Sequence, residues 1–310
     1  MIVTVTLNTA IDRTYFIQDF VWNQTIRATK SALGMGGKAT DASWILGELG
    51  YENCVMGFAA GTVGRQMEKM LNDRGCSTDL VWVKGETRTA IIVISESGKG
   101  QSTLISGGLE IESKDVEDFQ KKYTERLQKA NCIVIGGSVP QGLDSTIYTE
   151  LIKEARQANL PVVFDASGPG LKAGLEGHPT IVKPNIDEIS YLVNRKVSTL
   201  SEAYQAGLEL KSKYGTDFIV TLGSEGALAI LSDQSYFIPA LNIPVVSTAG
   251  AGDGVLAGVS TALATGRPIE EGLRLGFSAA AAVCLTPATA DCRREDVERL
   301  QSQIQLIPYP

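Results

Sequence analysis

Short runs of apolar residues alternate with longer amphipathic stretches along most of this chain. The short runs predict strands, and apolar positions that recur every three or four residues predict helices between them. The predicted strands cover residues 2–7, 54–58, 132–136, 161–165, 180–182, 217–221 and 227–231. The predicted helices cover residues 38–49, 62–74, 114–129, 144–158, 200–213, 253–265 and 269–284, with a short one near 294–304. Strands that alternate with helices indicate an α/β fold built on a mainly parallel sheet.

Two segments interrupt this alternation. Residues 14–33 and 87–106 contain short strand patterns broken by polar residues, such as Thr14–Ile17 and Thr89–Ile94. Such strands either extend the edge of the main sheet or form a separate structure outside it. The chain has no internal repeat, low-complexity tract or linker, which predicts a single domain over residues 1–310.

Composition and charge exclude several classes of partner and site for this protein. The chain is 44% hydrophobic and carries a net charge of −7, which argues against nucleic acid or an anionic membrane as a partner. An anionic substrate would therefore need a local basic pocket. Five scattered cysteines without a Cys-x-x-Cys pair favour reduced thiols over a disulfide framework or a zinc site. Because His178 is the only histidine, a histidine-rich zinc site is excluded.

Neither the N-terminus nor the apolar runs predict membrane targeting. Residues 2–7 alternate like a strand and lack the basic region of a signal peptide. The longest apolar run, near residues 279–285, is much shorter than a membrane span. We therefore expect a cytoplasmic protein.

The most informative segment is a run of small residues, 247–254, at the start of the last-but-one long helix. Small side chains let backbone N–H groups close on a ligand, and the first N–H groups of a helix attract anions. Gly250, Ala251 and Gly252 therefore form a candidate anion hole. A carboxylate in such a place, Asp253, points to phosphoryl transfer with a general base for the attacking hydroxyl group. The alternative is a glycine turn in which Asp253 caps the helix.

Six segments in this chain resemble, in the same order, motifs of the ribokinase-like (PfkB) carbohydrate kinases. Residues Thr248–Asp253 match the signature Thr-x-Gly-Ala-Gly-Asp, and Thr6–Asp12 resembles the opening of the branch that contains 1-phosphofructokinases and tagatose-6-phosphate kinases. The other four are Gly36–Lys38, Gly137–Pro140, Lys183–Glu188 and Leu222–Ala227. The resemblance covers essentially the whole chain. It implies a three-layer α/β/α fold in which the two interrupting segments form a β-strand lid, which in this family is often the contact of a homodimer.

The resemblance also implies how a sugar acceptor is bound. The residues that match sugar contacts are Asp12, Gly36, Gly37, Lys38 and Asp41, and those that match contacts to the sugar's phosphate are Arg88, Ser138 and Arg27. A carboxylate suits sugar hydroxyl groups, and an arginine fork suits phosphate oxygens. The alternatives without a binding role are that Asp12 and Ser138 are ordinary turn residues and that Arg88 and Arg27 are solvated surface charges.

Two positions depart from the family pattern Gly-Gly-Lys-Gly-x-Asn, because Ala39 replaces the last glycine and Asp41 replaces the asparagine. An ionised Asp41 only accepts hydrogen bonds and would repel an anionic acceptor. Two like charges about 4 Å apart cost roughly 1 kcal/mol in water and about 4 kcal/mol at an effective dielectric constant of 20. The acceptor therefore stays open between a ketose phosphate and an unphosphorylated sugar or nucleoside. The intact Asp253 argues against a non-catalytic binding protein.

For the second substrate the resemblance implies ATP with Mg²⁺. The residues that match nucleotide contacts are Lys183, Asn185, Thr221, Gly223, Ser224, Gly226 and Ser278, and Glu188 matches a residue that organises Mg²⁺, in keeping with a water-mediated contact. The spacing of Asn185 and Glu188 fits a helix cap with a capping box equally well. The combined prediction is an ATP-dependent kinase that phosphorylates fructose 1-phosphate or tagatose 6-phosphate.

Overall fold

The structure is a computed structural model that describes residues 1–310, with sixteen strands and ten α-helices. The strands are β1 Ile2–Asn8, β2 Ala10–Ile17, β3 Lys30–Gly36, β4 Asn53–Ala59, β5 Ser77–Trp82, β6 Lys84–Gly85, β7 Arg88–Ser95, β8 Gly100–Leu104, β9 Leu109–Glu110, β10 Cys132–Gly136, β11 Val162–Asp165, β12 Ile181–Val182, β13 Asp217–Thr221, β14 Gly226–Ile230, β15 Ser235–Pro239 and β16 Ile307–Tyr309. The helices are α1 Lys38–Glu48, α2 Gly61–Asp73, α3 Ser113–Leu127, α4 Thr146–Gln157, α5 Gly168–Leu175, α6 Ile186–Val193, α7 Leu200–Tyr214, α8 Ala251–Thr265, α9 Ile269–Cys284 and α10 Arg294–Gln301.

Ten strands form the main sheet, in the order β16-β15-β14-β13-β12-β11-β10-β1-β4-β5. Neighbours from β13 to β5 run parallel, and β14, β15 and β16 add an antiparallel edge. Alternate residues of β1 enter two different buried clusters, since Val3 and Val5 pack with α3, α4 and α7 whereas Ile2 packs with α1, α8 and α9. Helices therefore cover both faces of the sheet, and the predicted three-layer α/β/α fold is confirmed.

A second sheet lies outside the main one and consists of four strands in the order β3-β2-β7-β8. We call it the lid sheet. It contains the strands of both segments that interrupt the alternation, so these strands are not edges of the main sheet. Only Thr9 separates β1 from β2, and its hydroxyl group donates to the Phe58 carbonyl oxygen at 2.5 Å. The Ala60 N–H group donates to the Thr87 hydroxyl oxygen at 2.9 Å. Buried hydrogen bonds thus fix the root of the lid sheet to the main sheet.

The elements predicted from the pattern are all present, with ends shifted by up to about three residues, a usual uncertainty at element ends. The pattern did not predict β5, β15, β16, the short β6–β9 pair, α5 or α6. Helix α5 begins with Gly-Pro-Gly, which is typical of a loop. Pro239 is the last residue of β15, and Pro308 lies in the middle of the edge strand β16. None of the ten helices combines the length and the hydropathy needed to cross a bilayer.

Candidate functional site

The run of small residues forms the first turn of α8. Gly250 is the N-cap residue, with a left-handed φ of 77°, and a Cβ atom there would collide with the backbone of Ala290. Only glycine therefore fits this turn without strain. Asp253 is the third residue of the helix and is buried. Because no side chain caps α8, the alternative in which Asp253 serves as a cap is wrong.

The Asp253 carboxyl group has an environment suited to proton transfer. Its pKa is raised to about 7, first by burial and next by the charge of Asp165, while Lys183 and Lys38 oppose the rise. A carboxyl group with this pKa is ionised in about half of the molecules at neutral pH. A general base is most effective when its pKa lies near the operating pH, so Asp253 can serve as one.

Beneath this turn, Asp165 at the end of β11 joins the two lysines. Its Oδ1 atom accepts from Lys38 Nζ at 2.5 Å, and its Oδ2 atom lies 2.6 Å from Lys183 Nζ. Burial by itself would raise the pKa of Asp165, but Lys183 and Lys38 outweigh it and hold the pKa below its usual range. The sequence analysis missed Asp165, although its position at the carboxyl end of a buried parallel strand was a usable signal.

Asn185 and Glu188 form a capping box at the start of α6, which is the alternative that their spacing in the sequence also allowed. Asn185 Oδ1 accepts from the N–H groups of Asp187 and Glu188 at 2.9 and 2.8 Å, and Glu188 Oε2 accepts from Asn185 N–H at 2.9 Å. Glu188 Oε1 accepts from the Ser167 hydroxyl group at 2.6 Å and from Lys38 at 3.3 Å. Both carboxylate oxygens therefore have protein partners. Because the oxygens of Glu188 are already occupied, they suit a Mg²⁺ ion that is held by phosphates and water better than one bound directly by the protein. No cluster of three metal-ligating side chains occurs in the chain.

The lid sheet contributes a second group of polar residues. Asp12 was expected in a turn after the first strand, but it lies within β2, because the chain passes from β1 into the lid sheet almost without a break. Its pKa is raised to about 6 by burial, against the Thr289 hydroxyl group and the Arg88 charge. Arg88 begins β7 and pairs in register with Ala10 on β2, so it enters the site from the same sheet as Asp12.

Arg88 and Ser138 belong to one polar cluster. The Arg88 Nη2 atom donates to the Asn8 carbonyl oxygen at 3.5 Å, and Asn8 Nδ2 donates to the Ser138 hydroxyl oxygen at 3.1 Å. The buried Arg88 Nε atom has no hydrogen-bond partner. Guanidinium and hydroxyl donors with spare capacity are suited to phosphate oxygens. Asn8 was not singled out from the sequence.

Asp41 lies in the first turn of α1, at the junction of the two groups. That helix begins after Gly36 and Gly37, and a Cβ atom on Gly37, whose φ is 100°, would lie 2.7 Å from a methyl group of Thr6. Asp41 is buried. Burial, Asp253 and Asp12 raise its pKa well above the usual range, and only Arg88 lowers it. The charges of two other carboxyl groups and one guanidinium group therefore act on Asp41.

The predicted nucleotide residues divide into two groups. A backbone bridge joins Thr221 to Asn185, which places the turn with Gly223, Ser224 and Gly226 beside the segment that follows β12 and contains Lys183. Ser278 is a correction, because it is completely buried and its hydroxyl group donates to the Leu275 carbonyl oxygen at 2.9 Å. That side chain has no exposed surface for a ligand.

Arg27 also stays apart from the cluster. It is exposed in the connection between β2 and β3, and its side chain forms no hydrogen bond or ion pair within the chain. The first turn of α8, in contrast, is adjacent to Lys183, since a Cβ atom on Gly252 would lie 3.1 Å from Lys183 Nζ.

Comparison with known proteins agrees with this geometry. The sequence matches the pfkB family of carbohydrate kinases over residues 5–296. It is 30% identical to a tagatose-6-phosphate kinase of Staphylococcus epidermidis over 99% of both chains.

Two solved structures resemble the fold closely. One is a possible 1-phosphofructokinase from Thermotoga maritima, with a TM-score of 0.89 and 26% identity over 100% of this chain and 99% of that chain. The other is phosphofructokinase-2 from Escherichia coli in complex with substrates and products, with a TM-score of 0.88 and 26% identity over 97% and 98%.

Proposed function

Because the chain belongs to the pfkB family of carbohydrate kinases, we propose that it transfers the γ-phosphoryl group of ATP to a hydroxyl group of a ketose phosphate, either fructose 1-phosphate or tagatose 6-phosphate. The observation that carries this proposal is the position of Asp253, a buried carboxyl group with a pKa of about 7 in the first turn of α8. Lys183 Nζ lies against the same turn, next to Gly252, and we assign the carboxyl groups of Asp12 and Asp41 and the guanidinium group of Arg88 to the acceptor side.

In the proposed reaction Asp253 accepts the proton of the acceptor hydroxyl group as its oxygen attacks the γ-phosphorus atom, and ADP leaves. The N–H groups of Gly250 and Gly252 stabilise the charge on the transferred group, together with that of Ala251, which in this structure donates to the Thr248 carbonyl oxygen at 3.2 Å. Lys183, whose ammonium group is adjacent to Gly252, adds a positive charge on the donor side. Bound Mg²⁺ would neutralise phosphate charge, with Glu188 contacting it through water.

On the acceptor side we propose that the carboxyl groups of Asp12 and Asp41 form hydrogen bonds with the sugar hydroxyl groups. Gly36, Gly37 and the backbone of Lys38 form the floor of this pocket. Arg88 and Ser138 then bind the phosphate already present on the sugar. The unpartnered Nε atom of Arg88 supports this role, since a buried donor without a partner is costly unless a ligand satisfies it.

An ATP-consumption screen tests the assignment. The acceptors are fructose 1-phosphate, tagatose 6-phosphate, fructose 6-phosphate, fructose and ribose. We expect kcat/KM for at least one of the first two to exceed that for the free sugars by tenfold or more. Equal or better turnover of an unphosphorylated sugar would refute the phosphate-binding role of Arg88 and favour the second acceptor class, which the carboxyl group of Asp41 would suit.

We also propose that two copies of the chain associate through the lid sheet. The exposed large apolar side chains include Phe20, Trp22, Leu104 and Ile105, all on the lid segments, and Trp22 is 80% exposed. Apolar patches of this kind are typical of interaction sites. We expect light scattering to give the mass of a dimer and Trp22→Glu to give a monomer; a monomeric wild-type chain would refute the proposal.

A further inference from the structure

The side chain of Arg74 joins two segments that are far apart in the sequence. Arg74 follows the last residue of α2, and its side chain is only 16% exposed. Its Nε and Nη2 atoms donate to Glu48 Oε2 on α1 at 3.2 and 3.0 Å, and its guanidinium carbon lies 3.9 Å from the centre of the Trp44 ring on the same helix. Its Nη1 atom donates to Asp291 Oδ1 at 2.7 Å. Because a guanidinium fork holds its partners in a fixed geometry, Arg74 fixes the position of Asp291 relative to α1.

Asp291 belongs to the α9–α10 connection, residues 286–292, which contains no helix or strand. The preceding residue, Ala290, lies against the first turn of α8. Its N–H group donates to the Ala249 carbonyl oxygen at 3.1 Å, and a Cβ atom on Gly250 would collide with its backbone. The connection therefore forms one wall of the turn that contains the candidate anion hole.

The same connection also contacts the lid sheet. A Cβ atom on Gly34 of β3 would lie 2.7 Å from the backbone nitrogen and oxygen atoms of Thr289. Gly34 pairs in register with Asp12, the carboxyl group that we assign to the acceptor side. Thr289 and Ala290 are neighbours in the chain, so two successive residues of the connection set the spacing between β3 and the first turn of α8.

The conformation of Ala290 has to be imposed by its surroundings. Its φ of 52° lies in the left-handed region, and the residue is completely buried. A residue other than glycine keeps such a conformation only where neighbouring contacts enforce it. The Thr286 hydroxyl group donates to the Asp291 carbonyl oxygen at 2.8 Å, but that bond lies within the connection. The ion pair between Asp291 and Arg74 is the contact that ties the residue next to Ala290 to another element.

We propose that Arg74 is a positioning residue for phosphoryl transfer: through Asp291 it holds the α9–α10 connection in place, and the connection aligns the first turn of α8 with the acceptor side. Arg74 itself touches neither substrate. A misplacement of about 1 Å at a reacting centre can lower turnover about 10²-fold, so a loose connection costs turnover more than binding. The inference rests on the proposed function in taking the first turn of α8 as the place of phosphoryl transfer.

Steady-state kinetics of Arg74→Met test this role. Methionine retains much of the length of the side chain and its apolar contact with Trp44 but removes every donor. We expect kcat to fall at least about tenfold and KM for ATP to change less than about threefold, since the lost alignment matters in the transition state. The control is Arg294→Met, because Arg294 donates to the Leu49 carbonyl oxygen at the end of α1 but not to the connection. It should keep kcat within about twofold of the wild type. If Arg74→Met lowers only Tm and keeps kcat, or if both variants lose kcat equally, the proposal is wrong.

A double-mutant cycle identifies the contact through which Arg74 acts. Asp291→Ala removes the same ion pair from the other side and should lower kcat to a similar extent. The double variant should then have a kcat within about twofold of Arg74→Met alone, because its second substitution has no contact left to remove. Losses that multiply would mean that the two residues act separately, which would overturn the proposed route.

Amide hydrogen exchange provides a measurement that does not depend on turnover. The Ala290 N–H group should exchange at least about tenfold faster in Arg74→Met than in the wild type, because local opening of the connection becomes easier. Arg294→Met should leave this exchange rate unchanged. An unchanged rate in Arg74→Met would overturn the proposal. If the rate rises as expected but the wild type phosphorylates no acceptor sugar, the anchoring by Arg74 stands and the proposed function fails, so the two failures are distinguishable.

Discussion

Replacement of Asp253 by asparagine separates the role of this residue in catalysis from its effect on stability. The amide keeps the size of the side chain but cannot accept the proton of the acceptor hydroxyl group. Loss of a general base lowers turnover by about 10²–10⁴-fold, which corresponds to roughly 3–5 kcal/mol in the activation barrier. We expect kcat of Asp253→Asn to fall by at least about 10²-fold, while ATP binding is retained because a negative charge leaves the anion hole.

Although Asp253→Asn should lower kcat, it should increase the stability of the folded protein at neutral pH. The pKa of Asp253 rises from an ordinary 3.8 to about 7 on folding, so between these pH values the unfolded chain has lost a proton that the folded chain retains. The wild type therefore loses stability as the pH rises through this window, by an amount on the order of 4 kcal/mol. Asp253→Asn lacks this loss, so we expect its Tm advantage over the wild type to grow from about pH 4 to pH 7 and then level off.

The assays are steady-state kinetics with the best acceptor, calorimetry with ATP, and thermal melts from acidic to mildly alkaline pH. Asp233→Asn, at an exposed aspartate in the turn between β14 and β15, is the matched control and should change neither kcat nor the pH dependence of Tm. The wild-type kcat should rise with pH, with a midpoint near pH 7, and level off about one unit above it as the base becomes fully ionised. A variant that keeps most of its kcat, or whose Tm relative to the wild type falls as the pH rises, would refute the reasoning.

Three further substitutions test other parts of the site. Arg88→Ala should raise KM for the sugar phosphate at least about tenfold and leave KM for ATP unchanged. The control Arg13→Ala, at an exposed position on the same sheet, should change neither KM. If the two variants change KM for the sugar phosphate equally, Arg88 does not bind the phosphate. Asp165→Asn should lower the free energy of unfolding by about 3–5 kcal/mol in denaturant titrations, because two lysines lose a buried partner. Gly37→Ala should cost about 1–3 kcal/mol from backbone strain and a steric clash, and Gly107→Ala, in open space, almost nothing.

The long parallel core was predictable because its signal is local. Buried strands and amphipathic helices each carry their own periodicity, so β10 or α7 could be recognised without knowledge of its neighbours. The strands β15 and β16 could not be recognised in this way. Both are short and contain proline, and β16 pairs only with β15, about seventy residues earlier in the chain.

The candidate site was predictable where a motif is contiguous. Gly250–Asp253 and Gly36–Lys38 are short segments whose backbone role follows from small residues before a helix. Asp165 was missed because its importance depends on lysines from two other segments, which only the folded chain brings together. Ser278 was assigned to the nucleotide from the resemblance alone, and a motif match does not reveal whether a helical side chain is covered by its neighbours.

The passage of β1 directly into β2 has a consequence for how such enzymes diversify. Asp12 lies three residues after Thr9, which is about 10 Å of extended chain, and that crossing is tied to β4 by a buried hydrogen bond. The carboxyl group that we propose for the acceptor side therefore takes its position from the rigid interior and from the neighbouring strands β3 and β7, and not from β8, which does not pair with β2. We expect that substitutions in β8 can change which sugar is covered while the alignment of its hydroxyl group with the phosphoryl donor is retained. Substrate preference and chemical competence can then evolve as separate traits.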